Sequence, residues 1–115
     1  MTRLLLLIVI GLLSTAHANP YYYTGKEVEI CHKPDTITHL SHVRGAPYFL
    51  NYGEAWPKSY LTIVIWERDA SRLEINPYQY FKGELFCMKG RVTTYNNSPQ
   101  LIIRNHNQLT VQPVN

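Results

Sequence analysis

Short segments with the composition of β-strands recur through most of the chain, and they limit it to a β-rich fold. Residues 27–32 alternate polar and apolar side chains, the period-2 pattern of a half-buried strand. Residues 60–66 are almost entirely apolar and β-branched, which indicates a central strand. Less regular patterns of the same kind predict further strand segments over 36–43, 48–52, 85–95 and 100–104.

The pattern changes between the third and fourth predicted strands. Asp69 is a residue type that caps helix N-termini, so we expect a short helix over residues 70–73. Pro77 then ends the helical segment, because the residue before a proline avoids the helical conformation. Residues 96–98 (Asn-Asn-Ser) predict a hairpin turn, and residues 109–111 form a short apolar tail.

The order of these elements indicates an all-β fold. Three strands, a short helix and two further strands suit a five-stranded Greek-key barrel of the OB type, with the helix between strands 3 and 4. Gly90 falls inside the long fourth strand, where a glycine often marks a bend. An open antiparallel sheet and a small sandwich are the alternatives.

The N-terminus has the three parts of a secretory signal peptide. Arg3 supplies positive charge, residues 4–13 form an apolar run, and residues 16–18 (Ala-His-Ala) have the small side chains that signal peptidase recognises. The run is too short to span a bilayer, which takes roughly 20 apolar residues. We therefore expect cleavage of residues 1–18, and a single periplasmic or secreted domain over 19–115 with no stable membrane insertion.

Two cysteines, Cys31 and Cys87, follow the predicted cleavage site, and disulfides persist in exported proteins. The alternation of the first strand places Cys31 outward beside Glu29, and that of the fourth strand places Cys87 outward with Arg91. Strands 1 and 4 are neighbours in an OB barrel, so opposed positions on them lie about 5 Å apart, close to the spacing of a disulfide. The sequence therefore predicts a Cys31–Cys87 bridge, with two separate buried thiols as the alternative.

Several segments also carry a resemblance to a known group of proteins. They are residues 48–53 (YFLNYG), 61–66 (LTIVIW), 80–83 (YFKG), 87–92 (CMKGRV) and 99–104 (PQLIIR). Together they resemble small exported bacterial OB-fold proteins similar to the nucleic-acid-binding OB family. The resemblance covers nearly all of residues 19–115 and implies a cysteine in each of the two strands discussed above. One departure is His32, where such proteins commonly have glycine after the first cysteine.

Aromatic and cationic residues are the candidates for a binding site. OB barrels commonly bind on strands 2 and 3, and a single nucleic-acid strand needs rings to stack its bases and cations along its phosphates. Trp66 is predicted to lie in the core instead. The predicted ligand-binding residues are Tyr48, Tyr60, Lys89, Arg91, Tyr95 and Arg104.

Patterns for catalysis or metal binding are weak. Asp35 and Asp69 are the only aspartates, and the glutamates are scattered among turns and outward strand positions. His39 and His42 are three residues apart, a spacing that shares a face on a helix but not on a strand. The sequence therefore predicts no catalytic residue, no metal site and no cofactor.

The charge balance is mildly basic. The formal net charge is +3 before signal cleavage, far from the dense basic stripe of a dedicated nucleic-acid binder. The prediction is an exported binding module, not an enzyme, whose ligand is single-stranded nucleic acid or a nucleotide. A protein of the cell envelope, a glycan or a small ligand bound through the same face is the alternative. A degenerate secreted nuclease is the third hypothesis.

Overall fold

The computed structural model describes residues 24–82 and 85–112, so the predicted signal peptide lies outside the described residues. Within these ranges the chain is mostly β, as the sequence predicts. The strands are β1 Glu27–Ile30, β2 Thr36–His39, β3 Tyr48–Gly53, β4 Ser59–Ile65, β5 Leu85–Arg91, β6 Thr93–Tyr95, β7 Ser98–Ile102 and β8 Leu109–Gln112. The helix α1 is Glu67–Leu73, and 3-10 helices cover Pro77–Lys82 and His106–Gln108.

The strands form two sheets. The larger has the order β2-β3-β4-β7-β6, and the smaller has the order β1-β5-β8. The β4–β7 pair is parallel, and the other described pairs are antiparallel. Only residues 31–35 separate β1 from β2, and only Val92 separates β5 from β6. Two chain segments therefore pass directly from one sheet into the other.

The core lies on one face of the larger sheet, where alternate residues of neighbouring strands meet. Leu50 pairs with Ile63, and Ile63 pairs with Leu101; all three are fully buried. Ala70 of α1 and Met88 of β5 pack into the same cluster. Each buried aliphatic side chain of this size contributes about 1.5–3 kcal/mol, so this shared row stabilises the register of β3, β4 and β7.

The helix differs from its prediction at its N-terminus. α1 begins at Glu67, three residues before the predicted start, and Trp66 occupies the N-cap position without a capping side-chain hydrogen bond. Asp69 lies in the first turn, where a negative charge is favourable. Its carboxylate is buried and accepts a hydrogen bond of 2.9 Å from the Arg72 guanidinium one turn later. Asp69 is therefore an intrahelical ion-pair partner and not a cap.

The long fourth strand also differs from its prediction. The strand is interrupted at Val92 and not at Gly90. Val92 is buried, and its N–H donates to the Lys26 carbonyl over 3.0 Å. A Cβ atom at Gly90 would lie 2.9 Å from Nε2 of Gln108, so the glycine permits a close approach instead of a bend. The predicted apolar tail is the strand β8, which pairs with β5 over Leu85–Met88.

The hairpin turn is confirmed. Asn96 and Asn97 have φ angles of 50° and 64°, and they join Tyr95 to its partner Ser98 across two residues. Asparagine tolerates this left-handed conformation better than most residues, which explains its presence at both positions.

The predicted disulfide is also confirmed. Cys31 and Cys87 are bonded, with their Cα atoms 4.0 Å apart. The β1–β5 register pairs Ile30 with Met88, so the two cysteines occupy the next opposed position. The prediction that both face solvent is wrong for Cys87, which is 1% exposed. β5 is the central strand of its sheet, flanked by β1 and β8, and its residues therefore have neighbours on both sides.

Among the described residues, no helix is both long and apolar enough to cross a membrane.

Candidate functional site

The face of the larger sheet opposite the core, called the outward face below, carries one apolar row and one polar row of side chains. Both rows cross β3, β4 and β7 through the registers of those strands. The apolar row is Phe49, Val64 and Ile102, and the polar row is Asn51, Thr62 and Gln100. These rows form the surface on which the sequence predicts a ligand.

A hydrogen-bond network fills the centre of the polar row. Asn51 and Thr62 are almost fully buried, and the Thr62 hydroxyl donates to Asn51 Oδ1 over 2.9 Å. The same oxygen accepts the backbone N–H of Trp56 at 3.2 Å, while Asn51 Nδ2 donates to the Thr36 hydroxyl. Because the Trp56 ring also packs edge-on against Phe49, the β3–β4 connection covers this part of the face. The surface over the second and third predicted strands is therefore partly occupied by the protein itself.

The open part of the face lies toward β5, β6 and β7. A groove of about 380 Å³ is lined there by Arg91 and Arg104, together with Thr93, Ile102 and Gln108. The structure thus brings together two predicted binding residues that are 13 positions apart in the chain. We refer to this cavity as the Arg91–Arg104 groove.

The two arginines differ in how they are held. Arg91 donates a hydrogen bond to the Gly25 carbonyl, and its guanidinium lies 3.5 Å from the Glu27 carboxylate. Both members of that ion pair are at least 60% exposed, so the pair stabilises the fold by no more than about 1 kcal/mol. The Arg104 guanidinium has no ion-pair or hydrogen-bond partner in the part of the chain that the structure describes. Arg104 is therefore available to an anionic ligand, and Arg91 is only weakly engaged.

Gln108 holds the groove together. Its Oε1 accepts the backbone N–H groups of Arg104 and Asn105 at 2.8 and 3.1 Å. Its Nε2 donates to the carbonyls of Lys89 and Ile102 at 3.0 and 2.9 Å. One side chain thus connects β5, β7 and the 3-10 helix after β7. The capping-box spacing of Asn105 and Gln108 is the sequence signal that could have identified it.

We expect Gln108→Ala to lower the free energy of unfolding by about 2–3 kcal/mol, because four hydrogen bonds are lost and two carbonyls lose a donor. Urea unfolding followed by tryptophan fluorescence measures the change. Asn107→Ala, at an exposed neighbouring position, is the matched control and should change stability by less than about 0.5 kcal/mol. Equal effects of the two substitutions would show that Gln108 does not connect these strands.

Two predicted aromatic residues are exposed on the same outward face. Tyr95 is 58% exposed and Tyr60 is 49% exposed. Tyr95 pairs with Ser98, and continuing the β4–β7 register by two residues places Tyr60 on the other side of Ser98. Two strand spacings, about 10 Å, therefore separate the two tyrosine backbones. Both rings are accessible to a flat ligand.

The backbone of β3 fixes the position of the Tyr60 ring. A Cβ atom at Gly53 would lie 2.7 Å from Cδ2 of Tyr60, so only glycine permits this close contact. Partial burial, and after it the negative charge of Asp35, raise the pKa of the Tyr60 hydroxyl above its usual value of 10.0. The ring therefore stays neutral near physiological pH.

The remaining two predicted residues lie apart from the groove. Lys89 is exposed on β5, opposite Glu29, and only its backbone carbonyl takes part in the contacts of Gln108. Tyr48 lies on the core side of β3 and stacks on His39 with ring centroids 3.9 Å apart. Burial, followed by the charge of Glu67, raises the pKa of Tyr48. The structure does not bring Tyr48 to the face that carries the other candidates.

The prediction that Trp66 lies in the core is wrong. It is half-buried and lines a second groove, of about 660 Å³, with Arg44, Arg68 and Ser71. Its ring lies against the β2–β3 connection, where a Cβ atom at Gly45 would be 2.7 Å from Cε3. The alternation of β4 ends at the preceding residue, and the start of α1 turns Trp66 toward this loop.

One cluster among the described residues has metal-ligand types close together. It comprises Glu29, Cys31 and Cys87, whose donor atoms lie within 4.8 Å of one another. Both sulfurs are bonded to each other, so a single carboxylate remains as a donor. Three or four protein ligands are typical of a metal site, and this cluster does not provide them.

The chain matches no protein-family model, no curated protein and no solved structure. The Arg91–Arg104 groove offers two cations beside Ile102 and the Glu27 carboxylate, and the exposed rings of Tyr60 and Tyr95 lie on the same face outside its lining. This chemistry suits an extended, negatively charged ligand with flat groups.

Proposed function

We propose that this protein is an exported OB-type binding module that holds single-stranded nucleic acid on the outward face of its larger sheet. The observation that carries the proposal is the position of Arg91 and Arg104, which come from β5 and from the segment after β7 and line one groove. Cations in a groove can track phosphates, and the exposed rings of Tyr60 and Tyr95 offer stacking surfaces for bases.

The strand pairings support the OB part of the proposal. Taking β1 with β2 and β5 with β6 as two bent strands leaves six strands, of which β8 pairs only with β5 and is additional to the five of an OB barrel. The observed pairings then follow the neighbour order 1-2-3-5-4-1 of an OB barrel. The parallel pair joins strands 3 and 5, and α1 lies between strands 3 and 4. The bends at residues 31–35 and at Val92 are the points where such a barrel changes direction.

The disulfide supports the export part of the proposal. A bridge between Cys31 and Cys87 is stable in oxidising compartments and rare in the reducing cytoplasm. It agrees with the signal peptide predicted at residues 1–18, and with a periplasmic or secreted location.

The salt dependence of oligonucleotide binding tests the proposal. Fluorescence anisotropy with labelled oligodeoxythymidine should give a binding constant that falls with salt, with a log–log slope of about −0.7 for each phosphate contacted. A double-stranded competitor of equal charge should compete poorly, because its bases are not free to stack. Absence of binding, or binding without salt dependence, would contradict the proposal and favour an envelope protein or glycan as ligand. Cleavage of the oligonucleotide on addition of Mg²⁺ or Ca²⁺ would favour the nuclease hypothesis.

A further inference from the structure

The arginines within the described ranges are segregated to one band of the surface. Arg91 and Arg104 line the first groove, and Arg44 and Arg68 line the groove beside Trp66. Arg72 is the fifth arginine among the described residues, and its guanidinium donates to the Arg104 carbonyl. All five therefore lie within or between the two grooves. The lysines whose side chains the structure describes are outside both groove linings; they are Lys26, Lys33, Lys58 and Lys89.

The two grooves meet where α1 approaches the segment after β7. β4 and β7 end at Ile65 and Ile102, and beyond these ends the Arg72 guanidinium of α1 donates to the Arg104 carbonyl. Ser71, next to Arg72, lines one groove and Arg104 lines the other, so α1 connects the two grooves.

Each groove also contains one carboxylate, Glu27 in the first and Glu67 in the second. Glu67 lies 3.3 Å from the imidazole of His39, and Asp69 binds Arg72. Arg44 and Arg68 are exposed, and neither has an ion-pair partner within the described ranges. The groove beside Trp66 therefore presents two cations, the exposed Glu67 carboxylate and one half-buried indole ring. In each of the two grooves, two arginines outnumber one carboxylate.

Resting on the proposed function, we propose that the two grooves form one continuous site for a single strand of nucleic acid. The strand contacts Arg91 and Arg104, crosses the sheet at Trp66, and continues to Arg44 and Arg68. A base stacks on the indole ring at the crossing point. The expected site size is near the lower end of the range of about 4–16 nucleotides found for OB folds.

A length series with charge-removing variants tests the continuous site. For dT12, Arg44→Ala with Arg68→Ala should reduce the salt slope by about 1.4, because two phosphate contacts of about 0.7 each are lost. For dT4, which fills a single groove, the same variant should retain at least part of the binding through Arg91 and Arg104. Lengthening the ligand from dT4 to dT12 should therefore raise the affinity of the wild-type protein more than that of the variant. Both positions are exposed, so the variant should fold normally.

The outcomes separate this inference from the proposed function. The continuous site is wrong if the Arg44→Ala, Arg68→Ala variant binds dT12 with the wild-type salt slope. This holds even if the Arg91→Ala, Arg104→Ala variant binds more weakly, a result that would still support the proposed function. If the wild-type protein binds no oligonucleotide, the proposed function fails and this inference fails with it.

Tryptophan fluorescence gives a second measurement. The chain has two tryptophans, so Trp56→Phe leaves Trp66 as the only indole. In this variant dT12 should quench the emission strongly, because a base stacks on Trp66. No quenching at saturating dT12 would overturn the crossing point and with it the continuous site.

Discussion

Replacing Cys31 with serine and Cys87 with alanine should lower the free energy of unfolding by about 4 kcal/mol. The bridge closes a loop with a sequence separation of 56 residues, and its loss restores the entropy of that loop to the unfolded chain. For a domain of this size the melting temperature should fall by roughly 15–30 °C. Differential scanning calorimetry of the protein spanning residues 19–115 measures the change.

Two controls accompany this prediction. Reduction of the wild-type protein should produce a similar loss of stability, since it breaks the same bond without changing a side chain. Cys31→Ser alone should be at least as destabilising, because it leaves the buried Cys87 thiol without its partner. A melting temperature within about 5 °C of wild type in the double variant would mean that the bridge does not constrain the unfolded chain.

Replacing Arg91 and Arg104 together with alanine should weaken oligodeoxythymidine binding about 25-fold at 0.1 M salt. This factor is calculated from equal affinities of the variant and the wild type at 1 M salt. This follows from the loss of two phosphate contacts that each contribute about 0.7 to the log–log slope. The loss should be uniform across base sequences, because phosphates carry no sequence information. The melting temperature should fall by less than about 5 °C, since the Arg91–Glu27 pair is exposed.

The matched control removes the same charge elsewhere. Lys33→Ala with Lys58→Ala changes two exposed lysines that do not line the Arg91–Arg104 groove. This variant should retain most of the affinity and most of the salt slope. An equal loss in both double variants would show that binding depends on net charge alone, and would remove the reason to place the ligand in the groove.

Features determined by local sequence were predictable. Side-chain alternation within a few residues predicts the strand segments and the exposure of Arg91. Turn chemistry predicts the hairpin at Asn96 and Asn97. The Cys31–Cys87 bridge also followed, but alternation placed both cysteines only on one face, and the adjacency of their strands came from the expected OB topology. Short-range information was therefore sufficient for the other three features only.

Features determined by distant contacts were not predictable. β8 is a strand because β5 pairs with it, whereas its own four residues carry little signal. Trp66 is half-buried because of a loop that approaches it at Gly45, about twenty positions earlier in the chain. The role of Gln108 depends on carbonyls of two other strands, although its capping-box spacing was visible. These contacts are set by the tertiary fold, which a single sequence does not encode locally.

Chemical-shift mapping by NMR tests the central claim most directly. Titration of the ¹⁵N-labelled protein spanning residues 19–115 with dT12 should shift the amide signals of four groove residues, Thr93, Ile102, Arg104 and Gln108. The signal of Ile37, whose side chain packs on the core side of the sheet, should stay in place. Shifts confined to residues outside the outward face, with the groove signals unchanged at saturation, would contradict the account.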